Sequence, residues 1–403
     1  MWNLIYQKTK INQFILTSRN GKDAKFCVFT FFIVTFRIHF LFFVSYLGAI
    51  GCTKNTDKYD TVYQHYGIDN PVSIDIDKDV INLYPKDFDY FINEESQDSI
   101  LGNGKFLEAI NDSILYVVVQ NQLLKKVNIK SLSIEKELIF KGNGPGEYNY
   151  IDNIIRLGTS LFILDKGMYK LIEYDFDLNH IKDIKLMDVE TVNQRSTGTV
   201  SSKFFYYPIH LNKDYLYSRI NLNDKTSVNY HKRFIPIGKQ PIAYNGYLQS
   251  INSKNELMLT SNKMPLFFIY DKSLQIKNLY KLVSRNIDKM ETSVEDKNSI
   301  RIVNPPPKII DSKNRISFTG FSIIDAIITD DQIFIYFSNR FISDRYLIAL
   351  KRNGDSWVHS GNYRFLKEPN DLFTIFDMTF SDPWLYLSSQ FEEGIIRIDT
   401  QEL

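Results

Sequence analysis

The chain is predicted to be an all-β protein, a six-bladed β-propeller of four-stranded antiparallel blades. Its 403 residues contain six similar runs of alternating apolar and aromatic residues, each followed by a polar turn, and long helical periodicity is missing. The points taken as equivalent are Leu115, Phe162, Leu216, Leu257, Phe334 and Leu385. They are separated by 47, 54, 41, 77 and 51 residues, and most of these steps are close to the ~40–50 residues of one propeller blade.

The repeats predict a ring because a single hairpin cannot bury its apolar face alone. The clearest copy is an apolar run at residues 161–165, a polar turn, and a second run at residues 170–175. Units of this kind stack on their neighbours, and radial stacking leaves only short, protected strand edges. The alternative is a β-sandwich or an irregular all-β fold that contains six hairpins.

The step of 77 residues is long enough to include an insertion, which is predicted at residues 286–311. This stretch is rich in charge and contains Pro305, Pro306 and Pro307. Prolines cannot donate to a central ladder, so the segment is expected to form a loop or an edge connection.

The innermost strand of each blade is expected to precede the repeated apolar strand. The predicted innermost strands are residues 150–157, 321–329 and 375–380. They contain Asp152, Asp325 and Asp377, which are candidates to converge at one mouth of the channel and contact a cation or a sugar hydroxyl. The alternative is that each aspartate accepts a hydrogen bond from a neighbouring turn amide and only shapes its blade. The second interpretation is favoured.

A closed ring also requires a first blade joined to the last. The last apolar strand is predicted at residues 394–399, and residues 72–76 or 80–84 are the candidates for the strand beside it. A shared blade of this kind ties the two ends of the chain together.

The amino-terminal region contains an almost wholly apolar stretch, residues 27–51, interrupted by Arg37 and His39. As a membrane-spanning helix it is long enough, because about 20 apolar residues cross a bilayer, but Arg37 would lie near mid-span at a cost of roughly 2.5–3.5 kcal/mol. As an export signal, Arg37 is the positive end and residues 38–46 are the apolar centre. The second interpretation is favoured. Residues 1–35 are longer and more mixed than an ordinary signal, so the translation start is left open.

The end of this stretch, Ala49-Ile50-Gly51-Cys52, resembles the bacterial lipoprotein processing site. The resemblance implies that Cys52 is lipidated and becomes the first residue of the mature chain. Cys27 is the other of the chain's two cysteines, so no disulfide is expected within the folded domain. The expected divisions are an export segment at 1–51, a polar tether at 52–70 and the propeller at 71–403.

A glycine-rich motif follows the first repeat. Its residues are Gly142, Gly144, Pro145, Gly146, Glu147 and Tyr148. Pro145 and Gly146 suit the two central positions of a type II turn. A dinucleotide-binding loop would need a helix after the glycines, whereas strand-like residues follow here. The motif is therefore interpreted as a structural turn.

At this motif the chain resembles the six-bladed β-propeller lipoproteins common in Bacteroidota, which have a Gly-x-Gly-Pro-Gly-Glu-Tyr/Phe segment between blades. It is also similar to the TolB-like and NHL-like propellers. The resemblance covers roughly residues 72–403 and is specific at residues 142–148 and 161–175. It implies a fold and an envelope location more than an activity.

Composition argues against several functions. Lys and Arg total 48 and Asp and Glu total 47, so the chain has no basic excess of the kind that nucleic-acid binding requires. The histidines form no HExxH motif, and there is no Gly-x-Ser-x-Gly elbow. No catalytic residue, metal or cofactor is therefore predicted.

The predicted protein is a membrane-anchored lipoprotein of the bacterial cell envelope, expected at the outer membrane and as a monomer. It is expected to bind a glycan, a peptide or another envelope protein through one end of the channel. The alternative is a lyase or hydrolase that acts on a polysaccharide or peptide, with carboxylates or a histidine at the channel mouth. A purely structural scaffold is a third interpretation, which the sequence neither supports nor contradicts.

Overall fold

The computed structural model describes most of residues 67–403. The described part omits residues 1–66, 69–70, 93–103, 140, 166, 187–198, 202, 209–214, 225, 233–246, 262–265, 285–300, 303–308, 311–320, 340–344, 369–370, 373–374 and 390–393. The described residues contain strands, turns and bends but no helix, which confirms the all-β prediction. None of them forms a helix that could span a membrane.

The strands, numbered in chain order, are β1 (Val72–Asp75), β2 (Val80–Leu83), β3 (Asp89–Ile92), β4 (Gly104–Ala109), β5 (Ile114–Val119), β6 (Leu123–Asn128), β7 (Ser133–Leu138), β8 (Ile151–Leu157), β9 (Ser160–Asp165), β10 (Lys170–Asp175), β11 (His180–Lys185), β12 (Thr199–Ser201), β13 (Phe204–Pro208), β14 (Tyr215–Asn221), β15 (Ser227–Lys232), β16 (Tyr247–Ile251), β17 (Leu257–Ser261), β18 (Leu266–Tyr270), β19 (Ile276–Val283), β20 (Arg301–Ile302), β21 (Ile309–Ile310), β22 (Phe321–Ile328), β23 (Gln332–Asn339), β24 (Arg345–Asn353), β25 (Ser356–Glu368), β26 (Asp371–Leu372), β27 (Ile375–Ser381), β28 (Trp384–Ser389) and β29 (Ile395–Asp399).

The described strands build six sheets of four or more strands and one short ladder. Consecutive antiparallel strands form the first five sheets, which are β4–β7, β8–β11, β12–β15, β16–β19 and β22–β25. The sixth sheet combines β27, β28 and β29 with β3. In each sheet the first-named strand lies at one edge.

These first strands form a closed ring. The contacts run from β4 to β8, then β12, β16, β22 and β27, and β27 returns to β4. Sheets arranged radially around an axis produce this pattern, and a two-layer sandwich does not. The fold is therefore a β-propeller, with the first strand of each sheet innermost. The predicted innermost strands at 150–157, 321–329 and 375–380 correspond to β8, β22 and β27.

The hydrophobic core lies between neighbouring sheets. In β9, Leu161 and Ile163 pack with the first sheet, whereas Phe162 and Leu164 pack with the third. Successive side chains of a strand point to opposite faces, so a strand buried on both faces reads as a continuous apolar run. This explains the apolar repeats: most of them are middle strands covered on both sides.

One of the six equivalent points lies on a different strand from the others. Leu115, Phe162 and their counterparts lie on the second strand of a sheet, but Leu216 lies on β14, the third strand of its sheet. The second strand there is β13, where Phe205 is fully buried. Both β13 and β14 are rich in aromatic residues, so the sequence pattern did not distinguish them.

Ring closure occurs, but neither predicted strand provides it. The strand beside β29 is β3, in which Ile92 pairs with Ile395. The candidate strands at 72–76 and 80–84 correspond to β1 and β2, which instead extend the fourth and fifth sheets in parallel beside β19 and β25. The segment before the first sheet thus contributes an edge strand to three consecutive sheets. Its first residues bury Ile74 and Ile76 against the core between the fourth and fifth sheets.

The predicted insertion at 286–311 contains a two-stranded antiparallel ladder, in which β20 pairs with β21. The three prolines at 305–307 lie outside the described residues. The segment separates β19 of the fourth sheet from β22 of the fifth, which accounts for the long step in the repeat.

Removal of residues 395–403 is expected to abolish cooperative unfolding. The deletion takes away β29 and leaves β28 and β3 without their shared partner, and it also removes the Leu403 carbonyl that accepts a hydrogen bond from Tyr363. Calorimetry is the measurement. A chain shortened before β2, which loses the edge strand β1 and the buried Ile74 and Ile76 but keeps β3 and β29, is the control and is expected to melt cooperatively at a lower temperature. An unchanged transition after removal of 395–403 would contradict this closure.

Candidate functional site

A cavity of about 640 Å³ lies where the innermost strands meet. Its wall is formed by β4, β8, β12, β16, β22 and β27 and by the turns that follow β8, β16 and β22. A volume of this size lies within the ~300–1,000 Å³ typical of small-molecule sites. We call it the axial cavity.

Two of the three predicted aspartates line the axial cavity and connect the strands that form its wall. Asp325 on β22 accepts a hydrogen bond from the backbone N–H of Met378 on β27, with an O–N distance of 2.6 Å. Asp377 on β27 accepts one from the N–H of Leu107 on β4, at 2.7 Å. Both carboxylates are buried. They therefore link adjacent innermost strands, whereas the favoured interpretation expected them to bond neighbouring turn amides.

Two hydroxyl groups make links of the same kind. Thr379 Oγ1 accepts from the N–H of Ala109 at 3.1 Å, and Ser250 Oγ accepts from the N–H of Ile328 at 3.1 Å. Each innermost strand has a ladder partner on one side only, so the buried backbone amides on its other side need different hydrogen-bond acceptors. The side chains of Ser250, Asp325, Asp377 and Thr379 are these acceptors. Their hydrogen bonds connect β16 to β22, β22 to β27 and β27 to β4.

Asp152 does not belong to this set. The innermost strands β8 and β22 each have a β-bulge against the second strand, and the residue after the bulge is Asn153 in β8 and Asp325 in β22. Asn153 Oδ1 accepts from the N–H of Ile154 at 2.9 Å, as Asp325 Oδ1 does from Ala326 at 2.8 Å. Asn153 is therefore the counterpart of Asp325 and lines the cavity. Asp152 is the bulged residue, one position earlier, and lies outside the cavity lining.

The sequence interpretation missed Glu108, on the innermost strand β4. Its side chain is largely buried by neighbouring residues but is partly exposed, and it lines the axial cavity. This burial raises the pKa of the Glu108 carboxyl from 4.5 to about 8, and the charge and backbone N–H of Arg156 oppose the shift. Glu108 lies seven residues before the repeat point Leu115. The spacing that selected Asp377, eight residues before Leu385, could also have identified it.

Arg156 contributes the positive charge of the cavity wall. Its guanidinium donates a hydrogen bond to the carbonyl of Ile110, just beyond the end of β4. The side chain is exposed, and the turn at Gly158 follows directly. Arg156 therefore belongs to the rim of the cavity.

Asp330 lies at the same end, in the turn after β22. Its carboxylate accepts hydrogen bonds from the backbone N–H of Ser253 at 3.1 Å and from the hydroxyl of Ser253. Asn252 Nδ2 donates to the carbonyl of Thr329 at 3.1 Å. The turns after β16 and β22 are thus held together at the cavity rim.

An ion-paired network fixes the turn after β16. Arg352 donates to the carboxylate of Glu256, Lys277 Nζ lies 3.3 Å from it, and Asn252 Nδ2 donates to it at 2.9 Å. Burial favours a raised pKa for Glu256, but the hydrogen bonds from Arg352 and Asn252 outweigh it and lower the pKa to about 2. Because Asn252 lines the cavity, this network positions the wall.

The glycine-rich motif forms the predicted turn away from the axial cavity. Glu147 N–H donates to the carbonyl of Gly144 at 3.1 Å, and Gly146 has a φ of 71°, as a type II turn requires. A Cβ at Gly146 would lie 2.9 Å from the ring of His180. Tyr148 donates to the carbonyl of Leu138 at 2.6 Å, which connects the second sheet to the end of the first.

The carboxylate of Glu147 occupies the interior of the motif. Its Oε2 accepts from the N–H of Gly144 at 2.7 Å, and a Cβ at Gly142 would lie 2.1 Å from the same oxygen. The amide that an anion would need is therefore already bonded within the loop. This arrangement agrees with the structural interpretation of the motif.

Cys52, the predicted lipid attachment site, lies outside the described residues. Within the described part, no three His, Cys, Asp or Glu side chains are grouped so that they could hold a metal ion.

No family model matches the chain, and neither does any curated protein. Several solved structures, in contrast, match the chain. A member of the DUF4221 family from Bacteroides vulgatus is 10% identical with a TM-score of 0.53, over 77% of this chain and 94% of that one. A Bacteroides fragilis protein assigned as exported is 10% identical with a TM-score of 0.49, over 79% and 98%. A streptogramin B lyase is 11% identical with a TM-score of 0.42, over 77% and 96%. At these sequence identities, structural similarity is evidence for the fold only.

Replacement of Asp377 is expected to loosen the ring. Asp377→Ala leaves the N–H of Leu107 without its acceptor, at a cost of about 1–3 kcal/mol in the free energy of unfolding. Asp377→Asn retains an acceptor oxygen and should cost less. Denaturant unfolding is the measurement, with Glu402→Gln as the control because that residue is exposed. Equal stabilities for Asp377→Ala and the unchanged protein would exclude the link.

Glu108 is expected to make stability fall as the pH rises. A carboxyl whose pKa is higher in the folded state than in the unfolded state stabilises fully below the unfolded value, and this stabilisation is lost as the pH rises through the folded value. The window is pH 4.5 to about 8, with a slope of about 1.4 kcal/mol per pH unit at most. Glu108→Gln should flatten the curve in that window. The free energy of unfolding, measured at pH 5, 6.5 and 8, tests it, and parallel curves would contradict it.

Proposed function

We propose that the chain is a monomeric lipoprotein of the bacterial envelope whose six-bladed propeller binds a small polar ligand in the axial cavity. Residues 1–51 direct export, Cys52 anchors the chain, residues 52–70 are a tether, and residues 71–403 form the propeller. The six described sheets, which succeed one another around the ring, are the blades of this proposal.

The observation that carries the binding role is the axial cavity itself, with Glu108 in its wall. Binding sites combine apolar surface with a few convergent polar groups, and carboxyls with displaced pKa values concentrate in such sites. The cavity wall contains both, since Leu107 and Ile154 accompany Glu108 and Asn153. The links made by Asp325 and Asp377 hold the wall in place before a ligand arrives, which reduces the entropy cost of binding.

The location at the envelope is supported by the sequence near Cys52. A positive residue, an apolar centre and small residues before a cysteine form the order of an export signal followed by a lipidation site. Acyl chains contribute about 0.8 kcal/mol per buried methylene, so a lipidated Cys52 would hold the propeller on a membrane. The outer membrane is the proposed site, and a glycan, a peptide or a ligand presented by another envelope protein is the proposed partner.

A second candidate function is catalysis, because the pKa of Glu108 is raised to about 8. A carboxyl that titrates near neutral pH can both donate and accept a proton there, as a lyase or hydrolase of polysaccharides or peptides requires. Turnover that is lost in Glu108→Gln while binding remains would favour this function over binding alone.

A thermal-shift screen of the purified protein against envelope glycans, peptides and small metabolites tests the binding role. We expect a ligand-dependent rise in melting temperature that is reduced in Glu108→Gln and retained in Glu402→Gln, which changes an exposed glutamate. Asp325 and Asp377 are unsuitable as probes, because their replacement weakens the ring itself. A rise that is equal in all three proteins would place the ligand elsewhere, and no rise with any compound would count against the cavity as a binding site.

Lipidation is tested by metabolic labelling with palmitate. Cys52→Ser is expected to lose the label and to move the protein from the membrane fraction to the soluble fraction, because the acyl chains attach to this sulfur. Cys27→Ser is the matched control and should leave the label in place. A labelled Cys52→Ser variant would refute the proposed anchor.

A further inference from the structure

Among the described residues that line the axial cavity, the charged ones are predominantly acidic. They are Glu108 on β4, Arg156 on β8, Asp325 on β22, Asp377 on β27 and Asp330 in the turn after β22. β12, β16 and the turn after β16 contribute neutral side chains, namely Thr199, Ser250, Ile251, Asn252, Ser253 and Asn255. The whole chain has 48 basic and 47 acidic residues, so the acidic excess is local. A cleft with one sign of charge and protein walls concentrates ligands of the opposite sign.

Glu108 provides an independent indication of a missing partner. Buried carboxyls are normally ion-paired or bound to a metal. Glu108 accepts a hydrogen bond from the backbone N–H of Arg156, but it forms no contact ion pair with any of the described residues. The guanidinium of Arg156 bonds to the carbonyl of Ile110 at the rim instead. The cavity wall thus contains a carboxyl group that forms no contact ion pair with the described residues, although the charge of Arg156 acts on it.

We infer that the axial cavity takes a small organic cation, a primary ammonium or a guanidinium compound, which forms an ion pair with Glu108 as this carboxyl releases its proton to solvent. The inference rests on the proposed ligand-binding function and adds the chemical class of the ligand. Asp377 adds negative potential from the neighbouring strand β27, Asp325 adds it from β22, and Asp330 adds it at the rim.

Binding is therefore coupled to the ionisation of Glu108. A cation beside a carboxyl favours its charged form and lowers its pKa. One proton leaves Glu108 when the cation binds below the free pKa of about 8, and the cation itself stays protonated. Affinity should rise between pH 6 and pH 8, by up to about tenfold per pH unit for the release of one proton.

The test uses three four-carbon compounds that differ in charge: 1,4-diaminobutane, 1,4-butanediol and succinate. Titration calorimetry of the full-length protein at pH 7, in phosphate and in HEPES, measures affinity and proton release together. We expect 1,4-diaminobutane to bind at least tenfold more tightly than the other two, with a heat that differs between the buffers. Glu108→Gln should lose the buffer dependence and bind the diamine at least tenfold more weakly at pH 8, whereas the matched exposed change Glu402→Gln should behave as the unchanged protein.

Three results would overturn the inference. Preferential binding of the diol or of succinate would contradict a cationic ligand but leave the proposed binding function intact. Diamine binding with the same heat in both buffers, or unchanged in Glu108→Gln, would exclude Glu108 as the partner. No binding of the diamine at millimolar concentration would exclude this ligand class, and the binding function would then be decided by the broader screen described above.

Discussion

The structure depends on how neighbouring innermost strands are joined where no backbone ladder connects them. These strands surround the axis, and each has a ladder partner only on its outer side. Asp325, Asp377, Thr379 and Ser250 accept hydrogen bonds from backbone amides of the next innermost strand. An unsatisfied buried amide costs roughly 1–3 kcal/mol in the free energy of unfolding. The loss of one link would therefore remove a substantial part of the small net stability of a typical domain. The links also leave the axis open, and the cavity exists because side chains rather than a ladder bridge the strands.

Two further features preserve this ring. Apolar middle strands pack against both neighbouring sheets, as the alternating contacts of Leu161 and Phe162 show. At the rim, Glu256 is held by Arg352, Lys277 and Asn252. Burial of this carboxylate is compensated by its partners, whereas Glu108 has no contact ion pair among the described residues and has a raised pKa. The contrast distinguishes a carboxylate that is held by ion pairs from the carboxyl that is proposed to contact a ligand.

The sequence predicted the features that depend on local periodicity. Period-two runs and their spacing indicated the radial stacking of sheets, and the glycine motif indicated a type II turn. Errors arose where two arrangements share one pattern: Leu216 was placed on the wrong strand of its sheet, because β13 and β14 alternate similarly. Asp152 was misplaced by one residue, because a β-bulge changes the side-chain register and has no clear sequence signal. The burial of Glu108 depends on strands that are distant in sequence, so the local pattern could not predict it. The pairing of β3 with β29 is also a contact between distant parts of the chain.

The central claim is that Glu108 lies in the wall of the axial cavity, where burial raises its pKa and none of the described residues forms a contact ion pair with it. Its most direct test is a carboxyl-carbon NMR titration of protein labelled at glutamate, with Glu108 assigned by comparison with Glu108→Gln. A midpoint near pH 8 is expected, because burial disfavours the charged form. A midpoint near 4.5 would show that water or a positive charge reaches the group freely, and it would contradict both the burial of this carboxyl and the ligand site derived from it.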